Sequence, residues 1–82
     1  MAKSAIRFTA SWDTIGATLA ENVTTADSEL SVSVVDIDEN SATAETYNVT
    51  QIPTFVLLED GVEVNRFVGM KSIPEINDWL NG

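Results

Sequence analysis

The spacing of apolar positions changes period along the chain, and each change predicts an element. In AIRFTA, residues 5 to 10, Ile6 and Phe8 fall on one face of a two-residue alternation, which predicts a short strand. Beyond it Ile15, Leu19 and Val23 recur every fourth residue with Ala20 beside them, the stripe of an amphipathic helix. Asp13 is placed to cap that helix, and Gly16 falls in its first turn, where the usual cost of glycine is softened. The polar run TTADSE ends it. LSVSVVDI, residues 30 to 37, alternates Leu30, Val32 and Val34 against Ser31 and Ser33 before turning continuously apolar, so its first half should be covered on one face only.

Asn40 or Asp38 can cap a short second helix carrying Ala42, Ala44 and Tyr47, and Asn48 suits a left-handed residue at its end. In PTFVLLEDGVEVNRFVG, Asp60-Gly61 between two apolar runs predicts a hairpin with a primed turn. Ser72-Ile73-Pro74-Glu75 reads as a capping box, and Ile73, Ile76, Trp79 and Leu80 supply the buried stripe of a third helix. The order β-α-β-α-β-β-α predicts a single α/β domain over residues 1–82. A crossover helix makes the first two strands parallel, and a hairpin closes the sheet.

Charge and composition remove several function classes. Thirteen acidic and four basic residues give a formal charge of −9, and Lys3, Arg7, Arg66 and Lys71 are scattered. Nucleic-acid binding needs a basic footprint, so no nucleic-acid partner is expected. Cysteine and histidine are both absent, which removes disulfides, thiolate catalysis, the common zinc sites and imidazole acid-base chemistry. No cofactor or metal is expected. DIDEN, from Asp36, imitates the start of a calcium loop, but its sixth place is Ser41 and its twelfth Tyr47, where glycine and glutamate are required. Asn22-Val23-Thr24 and Asn48-Val49-Thr50 fit the glycosylation pattern as chance matches in a threonine-rich chain. No long apolar run or signal-like start is present, so no membrane association and a cytoplasmic location are expected.

At several landmarks, in order, the sequence resembles the thioredoxin family, and the resemblance covers nearly the whole chain. FTASW is similar to the strand and Trp that precede the family's Cys-Gly-Pro-Cys; VVDIDEN to its second shared strand and helix entry; TYNVTQIPTFVLLEDGVEVNRFVG to its cis-proline segment, hairpin and Val-Gly loop. Ile52-Pro53-Thr54, with Val68-Gly69 following, is the most specific piece. The resemblance implies a thioredoxin-like, four-stranded mixed sheet in the order 2-1-3-4 with helices on both faces. It also implies a form lacking the first strand and helix of the common fold, which puts residues 30 to 37 at the sheet edge and makes sense of Ser31 and Ser33.

By the same resemblance, Asp13 and Gly16 stand where the family has its nucleophilic and resolving cysteines, and Thr14-Ile15 replaces Gly-Pro. Arg7 aligns with the acid many relatives bury beneath the site, and Val34 with its lysine companion. No catalytic residue is therefore expected. What the resemblance retains is a shallow groove of Trp12, Asp13, Ile52, Pro53, Thr54, Val68 and Gly69, in which an extended protein or peptide segment pairs beside the cis-proline. The expected function is a redox-inactive binding domain, monomeric, with pairing through the exposed edge strand as a route to a dimer. The alternatives are a disulfide reductase variant whose cysteines were lost, and a structural or designed minimal fold with no site.

Overall fold

The computed structural model describes residues 2–81, which run β1 (Lys3–Thr9), α1 (Gly16–Ala26), β2 (Ser31–Asp36), α2 (Ser41–Thr46), β3 (Thr54–Glu59), β4 (Val62–Val68) and α3 (Ile73–Asn81). The strands form one sheet in the order β2-β1-β3-β4. β1 pairs parallel with β2 through a register that sets Arg7 beside Val34, and antiparallel with β3, where Phe8 meets Thr54. β3 and β4 are antiparallel, with an irregularity at Leu57/Leu58. This is the α/β, thioredoxin-like arrangement that the family resemblance implied, with β2 at the edge.

Strand alternation divides the core into two layers. Ala5, Phe55, Leu57 and Phe67 point to one face and pack against Leu19 and Val23 of α1 and Ile76, Trp79 and Leu80 of α3. Phe67 and Trp79 meet edge to face with ring centroids 4.8 Å apart, while Phe55 and Phe67 stack at 5.4 Å. On the opposite face Ile6, Phe8 and Val56 pack with Val35, Ile37, Tyr47 and Val49 around the end of α2. That cover stops short of Ser31 and Ser33, both exposed.

Local chemistry explains the turns. Asp60 and Gly61 both have positive φ (52° and 84°), the primed turn that matches strand twist. Asn48 ends α2 at φ 55°. Ser72 and Glu75 form the capping box: the Ser72 amide donates to Glu75 Oε1 at 3.0 Å, and the Glu75 amide to Ser72 Oγ at 3.3 Å.

Three details depart from the sequence reading. The first intrahelical bond of α1 runs from the Leu19 amide to the Ile15 carbonyl, so the helix proper starts later than expected, although Asp13, two residues before that boundary, does accept the Ile15 and Gly16 amides as a cap would. Ile15 consequently precedes the helical period and is exposed instead of sharing the stripe of Leu19 and Val23. Asn40 holds the α2 cap position without a side-chain bond, and neither it nor Asp38 caps the helix; Asp36 Oδ1 accepts the Asp38 and Glu39 amides and closes the preceding turn.

Candidate functional site

The ends of three strands converge at one edge of the sheet. β1 ends at Thr9 and β4 at Val68, while β3 begins at Thr54, and the register aligns Phe8, Thr54 and Val68 in one row across the sheet. The loops leaving those ends carry Trp12, Ile52 and Gly69. The Ile52–Pro53 peptide is cis. The Gly69 amide donates to the Pro53 carbonyl at 3.0 Å, which ties the Val68-Gly69 loop to the proline segment, and Gly69 has φ 81°, a conformation glycine adopts without strain.

Asp13 is held by four partners. Its Oδ1 accepts the amides of Ile15 at 3.1 Å and Gly16 at 2.8 Å, its Oδ2 accepts the Thr9 hydroxyl at 2.8 Å, and its own amide donates to the Ala10 carbonyl at 3.0 Å. Burial pushes the carboxyl pKa up. The bonds from Thr9, Gly16 and Ile15, with a smaller contribution from the Arg7 charge, outweigh burial and hold it below the ordinary aspartate value. Three of the roughly four acceptor positions of this carboxylate are taken inside the chain, so its bonding serves the fold.

Gly16 is buried beneath that carboxylate. A Cβ added at Gly16 would collide with Asp13 Oδ2, lie 2.8 Å from Asp13 Cγ and 3.2 Å from Nη2 of Arg7. Arg7 therefore reaches from β1 under the start of α1, with its Nε buried and without a protein acceptor. The two positions that the family resemblance sets against cysteines are thus filled by one interlocking unit, Asp13 over Gly16, with a cation next to it.

The rest of the expected groove separates into buried and exposed parts. Pro53 and Thr54 are buried, and the Thr54 hydroxyl donates to the Gln51 carbonyl at 2.6 Å. Trp12 is 61% exposed and Val68 48%, with Ile52 half-buried. Met70, 52% exposed, follows Gly69 on its loop, and Ile15 is exposed before the start of α1. Sequence reasoning missed both, since Met70 follows the Val-Gly pair rather than belonging to it, and Ile15 was assigned to the core. A shallow depression lined by Ala20, Glu21, Thr24 and Thr25 lies on α1, away from these loops, and carries no convergent chemistry. Among the described residues no group of three or more metal-ligating side chains is assembled, and no helix is long and apolar enough to cross a membrane.

Comparison with known proteins gives a consistent result. The family model described as Thioredoxin matches residues 2–82. A thioredoxin from Chlamydia pneumoniae is 40% identical over 63 residues, covering 77% of this chain and 62% of that one. A thioredoxin from Bacillus subtilis is 38% identical over 53 residues, 65% of this chain and 51% of that one. The matched region thus spans about half to three fifths of these curated relatives. Among solved structures, a mutant thioredoxin from Halobacterium salinarum superposes with a TM-score of 0.81 at 32% identity, over 93% of this chain and 69% of that one. Fasciola hepatica thioredoxin superposes at 0.81 with 30% identity, over 98% and 80%.

Proposed function

Because this chain belongs to the thioredoxin family yet contains no cysteine, we propose that it is a redox-inactive thioredoxin-like domain that binds an extended protein or peptide segment beside the Ile52-Pro53 loop. Reduction of a disulfide starts with a thiolate attacking a disulfide sulfur to form a mixed disulfide, while a second sulfur leaves. Asp13 supplies an anion at the same helix start but no sulfur, and a carboxylate cannot take that role. Binding and thiol chemistry are separable uses of one surface, and loss of the second leaves the first available.

The observation that carries the reading is the exposure of Trp12, in the loop leaving β1, and of Val68 and Met70, on the loop that the Gly69–Pro53 bond ties to the proline segment. A large aromatic held on a rigid frame is the kind of group that dominates binding energy at interfaces. Asp13 contributes by fixing the Trp12 loop through its bonds to Thr9 and the α1 amides.

A peptide-array screen against the natural protein, repeated with Trp12→Asp, tests the proposal. The expected result is a set of extended apolar peptides whose binding falls at least tenfold in the variant, together with insulin reduction at background level. Insulin reduction above background, or a peptide set indifferent to Trp12→Asp, would overturn it. A second reading, a disulfide reductase lacking its thiols, draws support from relatives named thioredoxin. It predicts that Asp13→Cys with Gly16→Cys restores insulin reduction. Arg7, where many relatives have an acid, counts against it.

A further inference from the structure

The two edges of the sheet are guarded differently. On β4 the Arg66 amide donates to Asn65 Oδ1 at 2.9 Å, Arg66 Nε pairs with Glu63 at 2.6 Å, and the irregular register at Leu57/Leu58 distorts the pairing. Side-chain bonds, charges and bulges of this kind blunt an edge against further strands. β2 has none of them between Ser31 and Val35: no charge, no proline and no bulge.

Backbone alternation identifies which groups β2 leaves free. The Ile37 amide donates to the Thr9 carbonyl at 2.9 Å, so odd-numbered residues turn their backbone groups toward β1. Val32, Val34 and Asp36 turn theirs outward. The Asp36 carbonyl is taken by the Asn40 amide at 2.8 Å, which leaves the N–H and C=O of Val32 and Val34 presented along the edge. Val34 is also 60% exposed, an apolar side chain at the centre of that edge. Its neighbour Arg7, paired with it in register, directs its guanidinium toward Gly16 instead.

Charge selects the occupant. Asp27 and Glu29 precede the strand, Asp36, Asp38 and Glu39 end or follow it, and no basic residue occurs between Arg7 and Arg66. An antiparallel second copy would set one acidic end against the other, in a molecule already at −9. An extended segment with cationic ends and a β-branched centre meets both ends favourably and takes up the free backbone groups. We propose that the β2 edge binds such a basic, extended peptide segment by strand addition, at a surface distinct from the Trp12 loop and independent of the function proposed for it.

The probe is the peptide Lys-Lys-Thr-Val-Thr-Val-Thr-Lys-Lys, compared with the same sequence ending in Glu-Glu. The expected outcome is binding at low salt at least tenfold tighter for the lysine-ended peptide, with the amides of Val32 and Val34 shifted and protected from exchange in NMR spectra. Val34→Lys should weaken it about tenfold, and Asp38→Lys with Glu39→Lys should do so without touching the strand, while Trp12→Asp leaves it unchanged. Equal affinity for the two peptides would overturn the proposal. So would shifts centred on Trp12 and Val68, or a dimer in sedimentation without peptide that Val34→Lys abolishes.

Discussion

The Asp13 carboxylate occupies the space that a side chain on Gly16 would need. A Gly16 Cβ would overlap Oδ2 of Asp13, although the glycine lies in ordinary helical backbone and needs no special φ. Gly16 is therefore required for room, and the requirement is imposed by Asp13. The residues at positions 13 and 16 therefore depend on each other.

A double-mutant cycle measures that dependence. In the natural sequence Gly16→Ala should cost about 1–3 kcal/mol through overpacking, because the Asp13 carboxylate must leave its bonds to admit the methyl group. Asp13→Ala alone should cost about 1 kcal/mol as a lost helix-start acceptor. With Asp13 already Ala, adding Gly16→Ala meets only the flexible end of Arg7 and should be neutral or gain up to about 1 kcal/mol from helix propensity. Urea unfolding of the four proteins gives the coupling directly. Additivity within about 0.5 kcal/mol would show that the overlap is relieved elsewhere.

The lowered Asp13 pKa gives a pH dependence with a definite sign. Because the folded value lies below the ordinary 3.8, the charged form is favoured by folding. Its contribution is complete above the ordinary value and is lost as pH falls through the folded one. Asp13→Asn keeps an acceptor for the Ile15 and Gly16 amides but cannot ionise. The natural protein should be more stable than Asp13→Asn at neutral pH, and the difference should shrink as the solution is acidified below the ordinary aspartate range. A difference that stays constant from neutral to acid would show that charge contributes nothing at this position.

The two tryptophans should respond oppositely. Trp79 is buried against Phe55 and Phe67, and Trp79→Ala should cost about 3–5 kcal/mol. Trp12 stands out in solvent, so Trp12→Ala should alter stability by no more than about 0.5 kcal/mol. Fluorescence separates them without a partner. Trp12→Phe should leave the blue-shifted emission of Trp79 and remove the component that acrylamide quenches readily. Loss of several kcal/mol on Trp12→Ala would mean that this side chain supports the fold, and its use as a binding group would lose its basis.

The parts of this fold that were legible in the sequence are those decided within a few residues. Asp60-Gly61 specifies its own turn, Ser72 and Glu75 their own cap, and the Leu30 to Ile37 pattern its half-covered faces, whereas the place of that strand at the sheet edge came from the family resemblance. Reading failed where tertiary geometry decides. Ile15 is four residues before Leu19 and fits the stripe arithmetically, but the Asp13 bonds to the Ile15 and Gly16 amides form a turn before the helix and keep Ile15 outside its period. Sequence gave no warning that Arg7 and Gly16 approach across the β1–α1 connection, since that contact depends on how the helix seats on the sheet. Met70 was invisible for a related reason: its exposure depends on how the tether between Gly69 and Pro53 sets the loop after β4.

Charge imbalance makes a last prediction about salt. Thirteen carboxylates face four cations, and the segment from residue 8 to 65 holds no basic residue at all. Folding concentrates this charge, and self-repulsion opposes the compact state. Raising NaCl from about 10 mM to about 0.5 M shortens the screening length from about 30 Å to a few ångströms and should raise the Tm. The exposed Glu63–Arg66 pair works the other way, but such pairs contribute at most about 1 kcal/mol, less than the relief of many unpaired carboxylates. Two variants locate the source. Asp38→Lys with Glu39→Lys, in the acidic flank of β2, should raise the Tm at low salt and reduce its salt dependence; Arg66→Gln, which removes a scarce cation, should lower the Tm at low salt and steepen it. A Tm indifferent to NaCl would show that the carboxylates are too well separated in the fold to repel one another measurably.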